Sequence, residues 1–251
     1  MTKVLAAIDN SAAAKPVLAT AAQIAGLYQA DVEAVHVRQN GDRTVRAAAD
    51  AAGLSLHTLT HSVVGALARA GRDEEVEAMV VGARGTHAGR RPAGHVALRL
   101  IVSLDKPVIV VPPEGRPSTE LRRVLVPLDG TRETAAALDR VVRLARSHDL
   151  EVIVLHVRGE GSLPRFDDQP QHESDAWSEE FLARYCPDCD VRLEQRIGIP
   201  GEHVLSVAEE TGADLIALGW SRDLSPGRAQ VVREALDRSR IPVLLVGVPV
   251  G

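Results

Sequence analysis

The chain has 251 residues, 45% of them apolar and 25% charged, a balance that belongs to a packed protein and excludes global disorder and collagen-like repeats. The formal charge is −5, split as +2 over residues 1–113 and −7 over the rest, and aromatics are only 2%. Neither a basic footprint nor a stacking platform for nucleic acid is present, and no apolar run approaches the ~20 residues that cross a bilayer.

In chain order, residues 4–8 are continuously apolar, as expected of a strand covered by helices on both faces, and end at Asp9. Ser11 stands where a helix N-cap belongs. Val17, Ala21 and Ile24 follow at helical spacing, with Pro16 expected to delay or kink that helix. A second strand carries His36 and Val37. A third apolar strand ends at Gly82, a helix begins near Gly94, and residues 107–111 form a closing strand. Residues 112–119 hold Pro, Gly, Ser and Thr without apolar periodicity and read as a linker.

The chain then repeats itself. Residues 4–9 match residues 124–129, and residues 34–38 match 154–158, both at an offset of 120. Gly82 aligns with Gly219 at offset 137 and Pro107 with Pro242 at 135, so the second copy gains 17 residues before its glycine strand and loses two after it. Thr131 takes the N-cap position, and Leu138, Val141 and Ala145 the buried helix face. Pro127 removes a ladder donor, which fits a strand end where the sheet opens. Residues 191–196 alternate apolar and polar and belong at a sheet edge. Each copy therefore reads as a doubly wound, Rossmann-like α/β unit with a parallel sheet. The expected domains are 1–113 and 121–251, joined by 114–120, each with its own sheet.

Asp9 after an apolar strand, the His-Val strand, Val80-Val81-Gly82-Ala83-Arg84-Gly85 and the closing Pro107-Val108-Ile109-Val110-Val111 together resemble the universal stress protein family in its tandem form. The family's glycine pattern, Gly-x2-Gly-x9-Gly-(Ser/Thr), is met by Gly82, Gly85 and Gly94, with eight residues before Gly94 and His95 in place of the hydroxyl residue. In the second copy Gly219 remains, Arg222 replaces the second glycine, and Ala229-Gln230 replace the last pair.

The resemblance implies an adenine nucleotide alpha hydrolase-like fold and ATP or another adenine nucleotide at Asp9, Val37, Gly82, Gly85, Gly94, His95 and Val96. A degenerate second site falls at Asp129, Val157 and Gly219, and magnesium enters only with the nucleotide. The resemblance also implies that residues 107–111 and 242–246 meet antiparallel in an internal pseudo-dimer, and it is compatible with a homodimer of whole chains. Physically, Asp9 at a topological switch point can accept ribose or adenine donors, the glycines admit backbone amides to phosphate, and a helix N-terminus favours anions. The structural alternative is that Asp9 caps a helix and the glycines make a turn.

No Walker-type phosphate loop, Gly-x-Gly-x-x-Gly or Gly-x-Ser-x-Gly occurs, so the chain reads as a non-enzyme, with weak ATP hydrolysis left open. Cys186-Pro187-Asp188-Cys189 follows a helix instead of opening one, so two thiols in a turn are expected, not a dithiol centre or zinc ligands completed by His172 or His203. His36 and His156 are expected to be buried and hydrogen-bonded. Trp177, Phe181 and Tyr185 form one helical stripe that packs in the core or, with the loop 164–170, lids a ligand. Trp220 is positioned to fill the second crevice, and Arg84, Arg90 and Arg91 to face phosphate or water. With Met1-Thr2-Lys3 leading only five apolar residues, cytoplasmic location is expected. Two readings remain: a stress-response sensor that binds a nucleotide, and an interaction scaffold with both crevices decayed.

Overall fold

The computed structural model describes residues 1–38, 42–83, 94–113, 120–159, 170–187, 191–225 and 228–248. The first half contains β1 (Lys3–Ala7), α1 (Ala14–Tyr28), β2 (Asp31–Val37), α2 (Arg43–Ala51), β3 (Leu56–Leu59), α3 (Val63–Gly71), β4 (Val76–Gly82), α4 (His95–Ser103) and β5 (Val108–Val111). The second repeats the order with β6 (Arg123–Pro127), α5 (Arg132–Ser147), β7 (Glu151–Arg158), α6 (Pro170–Tyr185), β8 (Arg192–Ile197), α7 (Pro200–Thr211), β9 (Leu215–Trp220), α8 (Gln230–Arg238) and β10 (Val243–Gly247). The linker residues 114–119 lie outside the described residues. Among the described residues no helix is long and apolar enough to cross a membrane.

Within each half the strands are parallel and the order reverses beside the first strand, giving β3-β2-β1-β4-β5 and its mirror β10-β9-β6-β7-β8. The closing strands meet antiparallel, as the resemblance implies, and because they pair directly the halves share one sheet instead of keeping one each. β5 and β10 pair antiparallel, Ile109 opposite Leu244, and join everything into one ten-stranded sheet. The reason is edge protection: each closing strand is wholly apolar and would otherwise expose unpaired amides and carbonyls, and its copy satisfies both. Two continuous cores result. One lies under α3, α4, α7 and α8 and includes Val110 and Val243; the other lies under α1, α2, α5 and α6 and includes Ile109 and Leu244.

Local details follow from side chains. Val17, Ala21, Ile24, Leu138, Val141 and Ala145 are all buried, as their spacing requires. Thr131 caps α5, its hydroxyl accepting the Thr134 amide. Ser11 does not cap α1. That helix starts at Ala14, and Ser11 instead stabilises the preceding turn by accepting the Ala13 amide at 3.2 Å. Pro16 explains the shift: as the third helical residue it needs no intrahelical donor.

β8 takes the edge, as its alternation predicts. There Glu194 accepts from Arg196 at 2.8 Å and pairs with Arg192 at 2.5 Å. Burial acts to raise its carboxyl, but the hydrogen bonds from Arg196 and Arg192 outweigh this and hold it below the ordinary 4.5. A depressed carboxylate stabilises the fold above its unfolded value and loses that contribution as pH falls through the folded one. The stability difference between wild type and Glu194→Gln is therefore expected to be largest near neutral pH and to shrink below pH 4.5, measured by urea titration across the range. A constant difference would show that the arginines do not hold the carboxylate.

Candidate functional site

The topological switch between β1 and β4 gathers the positions read from the first copy. β1 pairs β4 through Ala7 opposite Val81, and its carboxyl end leads into Asp9; β4 ends at Gly82. β2 ends beside them at Val37, which is 5% exposed and offers only a narrow apolar edge. Gly94 is the N-cap of α4, so Gly94, His95 and Val96 open the helix at the same end of the sheet. Gly85, Arg84, Arg90 and Arg91 lie outside the described residues.

The chemistry is partly settled by which donors are already used. The Gly94 amide donates to the Ala83 carbonyl at 2.6 Å, while the Ala83 amide donates to Val111 at 2.7 Å. The first intrahelical bond of α4 begins with the Leu98 amide donating to Gly94, so the amides of residues 95–97 have no helical acceptor and face the crevice end. Such amides, with the positive end of the helix dipole, favour an anion. Asp9 accepts the Ser11 amide at 2.9 Å, so it does hold the turn, as the structural alternative requires, while staying half-buried at the strand end.

The second copy differs at each of these points. Asp129 accepts the Thr131 amide at 3.0 Å, the Thr131 hydroxyl at 2.7 Å and the Thr134 hydroxyl at 3.1 Å. The first copy has Ala14 where Thr134 stands, so that hydroxyl is lacking there. The signal was available in the repeat alignment but concerns a residue five positions from the acid. Gly219 is kept for packing: a Cβ there would come within 3.1 Å of the Thr134 methyl. Val157 is half-buried against the α7 and α8 core.

Pro127 opens this crevice. Leu128 donates to β7 and Arg122 accepts from it, whereas Arg123 accepts from Asp214 on the β9 side. Residues alternate, so the missing Pro127 donor faces β9, and the β6–β9 ladder stops at Leu125 opposite Ile216. Trp220, aligned with Ala83, occupies the space on the α7 and α8 face and is 5% exposed. Arg222 keeps a left-handed backbone with φ of 59°, where glycine costs less, and reaches across to Asp105 of the first half at 2.5 Å. The position aligned with the second glycine of the pattern thus carries a clasp between the copies.

His36 and His156 each donate Nδ1–H to the carbonyl preceding the strand-end acid, Ile8 and Leu128, both at 2.9 Å. This fixes the shared Asp-to-His spacing structurally. Cys186 is buried, Cys189 and the loop 160–169 lie outside the described residues, and nothing is described of the His172 side chain. His203 bonds the Ile197 carbonyl at 2.9 Å.

The fold is that of a doubly wound α/β protein, with a topological switch point in each half at the carboxyl ends of its strands. The universal stress protein family profile matches residues 120–247, just over half of the chain, and the protein belongs to that family. A functionally unknown protein of Pseudomonas aeruginosa PAO1 is similar in structure, with TM-score 0.71 and 16% identity over 99% of this chain and 93% of that one. A universal stress protein from Archaeoglobus fulgidus gives 0.68 and 16% over 98% of each chain. At such identity these likenesses speak for the fold. A comparison with curated proteins gives no match.

Proposed function

We propose that the protein is a stress-response sensor that binds ATP or another adenine nucleotide in its first half, and that its second crevice serves structure. The observation that carries this reading is the contrast at one aligned position: a small side chain, Ala83, stands at the end of β4 before the α4 amides, where the second copy places the bulk of Trp220. Asp9 would accept from ribose or base, Val37 would border the base, and the amides of residues 95–97 would take phosphate oxygens. Magnesium would arrive with the nucleotide; among the described residues no cluster of three His, Cys, Asp or Glu could hold it. In this reading the nucleotide is a ligand whose occupancy biases a partner surface.

Native mass spectrometry of the freshly purified protein, followed by ATP titration, tests this. Wild type is expected to retain or take up one adenine nucleotide per chain, and Asp9→Ala to lose at least about tenfold in affinity, the loss of a charge-assisted hydrogen bond of about 1.5–3 kcal/mol. Equal or absent binding in both would leave the scaffold reading, which the three hydrogen bonds that Asp129 accepts from its own turn and helix and the Trp220-filled second crevice already favour for the other half.

A further inference from the structure

The 17 residues gained by the second copy build something the first lacks. In the first copy the His36 imidazole is shut in: Nδ1–H donates to Ile8, and Nε2 lies 3.2 Å from the Asp42 carboxylate. In the second, His156 makes the same Nδ1 bond to Leu128, an arrangement in which the neutral form of the ring carries its acceptor lone pair on Nε2. No described residue takes the place of Asp42. Instead α6 lays Trp177, Phe181 and Tyr185 in a row, centroids 4.9 and 4.8 Å apart, with the imidazole 5.2 Å from Trp177 and 4.6 Å from Phe181. Between this row and the β6–α5 turn lies a cavity of about 310 Å³, to which Asp129, Glu180 and Arg184 also contribute.

The cavity is separate from the crevice. His156 points to the α5 and α6 face of the sheet, where Phe181 is buried, while the next residue, Val157, points to the face that holds Trp220. Its volume sits at the lower end of the ~300–1,000 Å³ usual for small-ligand sites.

Its chemistry is one-sided. Asp129, Glu180 and His156 Nε2 all accept hydrogen bonds, and the aromatic faces are negative. Arg184 is paired with Glu180 at 3.2 Å, which leaves the cavity with a net negative lining. The Trp177 ring already takes one cation, the Arg158 guanidinium, 5.3 Å from its centroid. We propose that this cavity binds a small organic amine, its flat or apolar body against the aromatic row and its N–H groups donating to Asp129, Glu180 and His156. The 17-residue enlargement would then be a gain of a second, chemically distinct ligand site, independent of nucleotide binding.

Calorimetric titration of the full chain with 2-phenylethylamine, neutral 2-phenylethanol and anionic phenylacetate tests this. The amine is expected to bind about tenfold or more tightly than the alcohol, and the anion not at all. Glu180→Gln, at a side chain 71% exposed and so without a packing role, is expected to weaken the amine severalfold with the thermal midpoint unchanged. Trp177→Leu is expected to abolish binding, and Asp9→Ala to leave it intact. Equal affinity for amine and alcohol, binding that survives Trp177→Leu, or no amine binding up to about 10 mM would each overturn the proposal.

Discussion

Trp220→Ala is expected to destabilise the protein by about 3–5 kcal/mol, the usual cost of deleting a buried aromatic that its surroundings cannot replace. Trp220 sits at the end of β9, 5% exposed, in the core shared with α7 and α8. Its neighbours are poorly placed to collapse into the gap. The β6–β9 ladder has already parted at Pro127, and the Arg222 clasp to Asp105 fixes the loop that follows. The hole should therefore persist, and indole should restore part of the lost stability by refilling it, as small apolar ligands do in other engineered cavities. Urea titration with and without indole measures both effects. A loss below about 1 kcal/mol would mean that Trp220 is surplus to the core and that the second crevice is open in practice.

Ile109→Ala is expected to cost about 2–5 kcal/mol and to lower the unfolding midpoints of both halves together. Ile109 is fully buried, pairs with Leu244 across the antiparallel seam and with Val80 inside the first half, and belongs to a core that includes residues from both copies. The seam also carries Val108, Val110, Val243 and Leu245 into the other core, so both faces of the sheet cross it without a break. Both tryptophans lie in the second half, so their fluorescence reports that half alone. Amide exchange along β1 and β4 reports the first. If the substitution shifts exchange in the first half but leaves the tryptophan transition in place, the halves are energetically separate and the shared sheet is only geometric.

Much of the fold was legible in the chain because it depends on local pattern. Continuous apolar runs mark strands buried on two faces, and three residues at helical spacing mark the buried face of α1 and of α5. The alternation of β8 placed it at an edge. The repeat offset located the enlargement between β7 and β8, where α6 is longer than its counterpart α2. Ser11 shows the boundary of such reading: the residue type is right for a cap, but Pro16 moves the helix start by two positions, and propensity alone does not weigh one against the other.

The candidate site was legible in identity and not in state. Asp9 and Asp129 follow the same strand pattern, yet one copy surrounds its acid with an alanine and the other with a threonine hydroxyl, and only the path of the following helix brings that hydroxyl to the carboxylate. Arg222 read as a lost glycine; the structure makes it a bridge to Asp105, 117 residues away in the chain.

The sequence by itself determined that one α/β unit was copied in tandem, that the closing strands are apolar enough to require a partner, and that the copies diverge at the glycine loop and after the second strand. These are properties of spacing and composition, which act over a few residues. Tertiary structure decided that the two sheets fuse into one, that Pro127 parts β6 from β9, that Arg222 bridges to Asp105, and that His156 faces a cavity where His36 faces a carboxylate. Each of those depends on which side of a strand a donor or a side chain points once its neighbours are in place, a long-range consequence of register that no local pattern encodes.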